Sequence, residues 1–144
     1  CSASAIKAAE YLKEKFGTPY EIEYPQSCLP EEIVQKAYNF TDKNVLVIHN
    51  QTAADAVRKL ITEKSGKCHC TSATFFMQKK ELLQQSDFFL ADESDLCDNV
   101  GDNYDVVIAD KTLRRVMKNF SGEFIDFPHF GLSGRLLQGE SEKI

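Results

Sequence analysis

Five cysteines and three histidines are the side chains of this chain best suited to bind a soft metal or act as a nucleophile. Cys68-His69-Cys70 has the composition of a metal cluster but falls in an apolar, strand-like run. Side chains alternate along a strand, so both thiols face one way and His69 the other, and one ion could not collect all three. The set reads as two core thiols and a histidine on the opposite face. Cys97, in DLCDNV, reads as a small core hydrophobe. With no CxxC pair and no even framework, the cysteines, Cys1 and Cys28 included, suit free thiols in a reducing, cytoplasmic compartment. His49 is different, because it directly follows the apolar run Asn44–Ile48 and begins His49-Asn50-Gln51, a strand end of the kind where α/β folds gather ligands.

Several chemistries lack their motif. The glycines stand at 17, 66, 101, 122, 131, 134 and 139, and none lies between a predicted strand and the helix after it. That removes the GxGxxG turn and the Walker loop, so neither nucleotide nor flavin is expected. There is no GxSxG elbow of an α/β-hydrolase. Arg114, Arg115 and Lys118 read as complements of a helix C-terminus or as contacts to an anion near Lys111.

Alternating strands and helices must position these residues. After the apolar strand Asn44–Ile48, Thr52 is a candidate cap for a helix with Ala53, Val57, Leu60 and Ile61 at helical spacing, and Gly66 stands at its C-cap. Before it, a first helix presents Ala5, Ala9, Leu12 and Phe16 and ends at Gly17. Tyr20–Tyr24 reads as a short strand, and Pro30 opens a second helix with Ile33, Ala37 and Phe40 inward. Further on, the pattern predicts strands over Lys67–Phe76, Asp87–Ala91, Tyr104–Ala109 and Glu123–Phe127. It predicts helices over Met77–Gln85, with Leu82 and Leu83 inward, over Ser94–Val100, and over Lys111–Asn119 with Leu113, Val116 and Met117 buried; a glycine-containing tail, Pro128–Gly139, follows. This order implies a mostly parallel sheet with helices on both faces.

The totals agree with one α/β domain over residues 1–144, large enough for a core without staples. A net charge of −5 argues against a nucleic-acid partner, and no apolar stretch approaches the ~18 residues of a membrane span. The chain begins at Cys1 without an initiator Met, as expected for a cut fragment or a processed product. A processed lipoprotein is the rival reading of CSAS, against which the helix pattern begins at once, without a tether.

Two stretches resemble a known family. Residues Cys1–Tyr20 resemble the segment of nitrogenase component 1 α-type subunits that supplies the cysteine ligand of the metal cofactor. There a Cys opens a helix that runs without gaps into an acidic-Lys-aromatic-Gly-x-Pro-aromatic ending, here Glu14-Lys15-Phe16-Gly17-Thr18-Pro19-Tyr20. Phe124–Gly139, containing IDFPHFGLSG, is similar to the segment where a histidine follows a short strand and precedes a Ser-Gly turn, which places His129 at the family's histidine ligand. The likeness covers nearly the whole chain and corresponds to the third domain of these proteins.

It implies a flavodoxin-like three-layer domain, a fragment of a larger oxidoreductase of the class that includes nitrogenase, its cofactor scaffold and tetrapyrrole reductases. Cys1 and His129 would be metal ligands of an iron–sulfur or related cluster, with His49 and Lys111 as cofactor-pocket neighbours. A thiolate and an imidazole suit the ends of such a cluster. The implied partners are the remaining domains or subunits of a nitrogenase-like complex and a reductase; no membrane is expected. Any catalysis would belong to the parent protein, and a cluster carrier or a plain α/β interaction domain are the alternatives. One departure is local: where the family has a Gly-Gly-x-Arg turn, this chain has His49-Asn50-Gln51-Thr52.

Overall fold

The apolar run Asn44–Ile48 forms β1, and its alternation divides the molecule. Val45 and Val47 enter one core, with Val57, Leu60 and Ile61, while Leu46 and Ile48 enter another, with Leu90, Leu96, Val107 and Met117. A strand buried on both faces needs apolar residues at every position, and β1 has them from Val45 onward. The computed structural model describes residues 3–23, 29–100 and 103–134. Cys1, Cys28 and Gly101 lie outside the described residues, as does the tail beyond Gly134.

Around β1 stand β2 (His69–Thr74), β3 (Phe88–Phe89), β4 (Val106–Ala109) and β5 (Glu123–Asp126). All pairings are parallel, in the order β3-β2-β1-β4-β5. Helices α2 (Glu31–Lys36) and α3 (Gln51–Ser65) cover one face. Helix α4 (Glu93–Val100) and the turn Lys111–Arg115 cover the other. The chain is therefore an α/β domain of the flavodoxin-like three-layer class. Ile33, Ala37 and Phe40 are fully buried, as their spacing predicts.

Helix α3 departs in its cap. Asn50, not Thr52, occupies the N-cap, its side chain accepting the Ala53 N–H at 2.9 Å. Gly66 closes the helix at φ 71°, a left-handed conformation that a Cβ would strain.

Four predicted elements differ. Residues 77–85 form no α-helix but a loop with one 3-10 turn, Lys80–Leu82, and Leu82 and Leu83 are only half-buried. The Gln84 N–H that a helix would use goes to Asp87 Oδ2 at 3.0 Å, and Gln51 Oε1 accepts the Lys79 N–H at 2.9 Å and fixes the loop there. The segment from Lys111 is a 3-10 turn ending at Arg115, with Val116 half-buried: Asp110 caps it through the Thr112 N–H, and the main chain closes i to i+3 rather than i to i+4. Residues 20–23 have no regular structure, since no described strand pairs with them, and Tyr24 lies outside the described residues. Finally, the apolar face of α1 (Ala3–Phe16) is not covered by the described residues: Leu12 is 44% and Phe16 70% exposed.

Among the described residues no helix is long and apolar enough to cross a membrane.

Candidate functional site

In a sheet of this order the chain leaves β1 toward β2 on one side and returns to β4 on the other. In open α/β sheets such a switch in strand order is where ligands usually bind, beyond the C-terminal strand ends. The register aligns Ile48 with Ala109, and Ala109 with Asp126. The residues just past the strands, His49, Asp110 and Phe127-Pro128-His129, therefore share one rim.

Asp110 organises this rim. It is fully buried, and each carboxylate oxygen accepts two hydrogen bonds. Oδ1 takes the Thr112 N–H at 2.9 Å and the Thr112 hydroxyl at 2.8 Å. Oδ2 takes the His129 N–H at 2.9 Å and the Ser133 hydroxyl at 2.5 Å. Burial works to raise the pKa, but the bonds from Ser133, His129 and Thr112 outweigh it and hold the carboxyl well below the usual range. The loop carrying His129 and the short helix α5 (Phe130–Ser133) is thus tied to the end of β4.

Four rings stack across the rim. Phe127 lies against His49 with centroids 4.1 Å apart, His49 meets His129 at 4.4 Å with a tilt of 58°, and Phe76 lies parallel to His129 at 4.4 Å. Phe76 arrives there on the loop that Gln51 pins, the amide bonding both the N–H and the carbonyl of Lys79. Gly131 admits the His129 ring, for a Cβ there would stand 3.1 Å from Phe76 and 3.2 Å from His129 Cε1.

The hydrogen bonds assign both tautomers. Nδ1 of His49 accepts the Asn50 N–H at 2.9 Å, so its proton sits on Nε2, which donates to the Pro128 carbonyl at 3.2 Å. Burial lowers this imidazole to a pKa of about 4, with the Pro128 carbonyl opposing and His129 assisting. In His129, Nδ1 accepts the Gly131 N–H at 3.1 Å and caps α5, which again leaves the proton on Nε2. Burial lowers His129 too, against the pull of Asp110. Both rings are neutral near pH 7, and each holds its Nε2 proton.

The expected site residues separate accordingly. His49 and His129 come together. Lys111 is exposed and begins the turn beside them, its N–H donating to Asp126 Oδ1 at 2.8 Å. Cys1 lies outside the described residues. Cys68, His69 and Cys70 sit at the start of β2, the opposite end of the sheet, with His69 exposed and both thiols against the core that α2 and α3 cover. Burial pushes the Cys70 thiol up to about 12, so it is no nucleophile. Cys97 is exposed rather than a core residue, its thiol directed at the Val116 carbonyl. Arg114 and Arg115 end a 3-10 turn rather than a helix, and Arg114 lies over Phe124.

A cluster ligated by these imidazoles needs a bare ring nitrogen, and neither ring has one as it stands. His49 spends both nitrogens, and His129 keeps its proton on Nε2, which has no hydrogen-bond partner among the described residues. The two rings do not fit direct metal ligation in this arrangement. Among the described residues there is also no group of three or more His, Cys, Asp or Glu placed to hold an ion. Sequence reading missed Asp110 and Phe76, and it placed Gln51 at the strand end and Ser133 in the turn after His129 without giving either its role here. Of the two it missed, only Asp110 left a signal, a carboxylate ending the apolar run DVVIAD.

No known family profile matches the chain, and no curated protein sequence does. A solved structure titled "Nitrogenase Cp1 at pH 6.5" is similar over 93% of this chain, with 16% identity and a TM-score of 0.47. The chain spans about a third (32%) of the length of that structure's chain, and a likeness this slight carries no argument about function.

Proposed function

We propose that this chain is a domain of a nitrogenase component 1-like oxidoreductase and that the rim above β1, β4 and β5 forms one face of its cofactor pocket. The resemblance of Cys1–Tyr20 and of the His129 segment supports the family reading. The observation that carries the pocket is His129, buried to 8% exposure at this rim with Nδ1 bonded and Nε2 free of any described partner. The cofactor implied is an iron–sulfur type cluster, which would supply electron storage and transfer. Cys1 is the proposed thiolate ligand. Asp110 holds the His129 loop in place, His49 closes the floor of the rim, and Lys111 contributes positive charge beside it. The remaining domains or subunits and a reductase partner would complete the enzyme.

The second reading is a plain α/β interaction domain that kept the fold. Saturation of both His49 nitrogens and of the Asp110 carboxylate favours it. Anaerobic reconstitution of the chain with iron and sulfide, followed by absorption and EPR spectra, decides between them. A cluster signal lost on Cys1→Ala supports the pocket; its absence from the wild-type chain overturns it.

A further inference from the structure

Metal-bound histidines normally donate their second ring N–H to a carboxylate or carbonyl, which leaves the ligating nitrogen bare. At this rim the polarity is reversed. The groups facing Nδ1 of His49 and of His129 are main-chain N–H donors, from Asn50 and Gly131. The nearby carboxylate, Asp110, accepts the His129 main-chain N–H. Phe76 and His49 fix the plane of the His129 ring, at an interplanar angle of 5° and a centroid distance of 4.4 Å, and a half-turn within that plane would set Cδ2 against the Gly131 N–H and lose the α5 cap.

We propose that His129 meets the group held over this edge as a hydrogen-bond donor, through Nε2–H, and not as a metal ligand. Its partner is then an electron-rich acceptor atom, such as a cluster sulfide or an anionic oxygen. The identity of that group rests on the pocket proposed above; the donor assignment does not. Moving the proton to Nδ1 would set two N–H groups head-on, His129 against Gly131, and would cost the α5 cap its acceptor.

Two measurements test this. In the full chain with 15N-labelled histidine near neutral pH, long-range 1H–15N spectra should show unprotonated Nδ1 and protonated Nε2 for both His49 and His129. Adding Zn2+ alone should leave the His129 nitrogens unchanged. A protonated Nδ1, or loss of the Nε2 proton to Zn2+, overturns the proposal.

The second compares two variants in the iron–sulfide reconstitution. His129→Gln places an N–H donor near the Nε2 position, whereas His129→Asn keeps only an acceptor for Gly131. The Gln variant should hold the cluster signal within about twofold and the Asn variant should lose it about tenfold, the cost of one hydrogen bond. Equal loss in both, from a wild type that does bind a cluster, overturns the donor role. A wild type without a cluster defeats the cofactor reading, while the spectra still decide the tautomer.

Discussion

Burial holds the His49 imidazole at about 4 and lifts the Asp55 carboxyl to about 6, so two groups titrate with opposite sign in one pH window. For His49, below its free value of 6.5, the unfolded chain binds the proton first, and stability falls as pH drops from 6.5 toward 4. Asp55 sits beside Arg58 on α3, and burial is the main cause of its shift, with Arg58 opposing and Asp87 assisting. Its folded pKa lies above its free value of 3.8, so the native state binds that proton first and stability rises as pH falls from 6 toward 4. Each effect is of the order of 3 kcal/mol, and between pH 4 and 6 they oppose each other. Asp55→Asn should therefore steepen the loss of stability on acidification, to which the lowered His129 also contributes, as measured by urea midpoints from pH 4 to 7. An unchanged pH profile would refute the pairing.

At the scale of elements, the rim depends on a loop with almost no secondary structure. Residues 75–87 are fastened at one end by the Gln51 amide and at the other by Asp87, which accepts N–H groups from Ser72 and Gln84 and a short hydrogen bond from Arg58. This tether replaces the predicted helix and delivers Phe76 to the face of His129. Gln51→Ala should speed amide exchange at Lys79 and loosen the Phe76–His129 stack, read as a changed His129 ring shift. The cost to global stability should be about 1–2 kcal/mol, since two main-chain groups lose their partner. If Lys79 exchange is unchanged, Gln51 does not hold the loop.

The whole molecule has one well-covered sheet and one loosely attached helix. None of the described side chains of α1 is buried, and its Lys7–Glu81 ion pair at 3.1 Å is exposed. Exposed pairs contribute little. Deleting residues 1–16 should therefore leave a cooperative transition within about 1 kcal/mol of the full chain by calorimetry. Loss of cooperative folding would mean that α1 completes a core.

Where a strand or helix stands was largely legible from the chain, because hydrophobic periodicity is a local property. The buried β1, the α3 that follows it and the inward Ile33, Ala37 and Phe40 all follow from spacing. The segments misread as helices, 77–85 and 111–119, are fastened by side chains: Gln51, distant in sequence, holds Lys79, while Asp87 and Asp110 hold their near neighbours Gln84 and Thr112. The pair His49 and His129 could be suspected from the chain, but their meeting depends on β1 and β5 flanking β4 in register. Which ring nitrogen keeps its proton was decidable only in three dimensions. A tautomer answers to the hydrogen-bonding group that packing sets against the ring, and here those groups are the main-chain N–H of Asn50 and of Gly131.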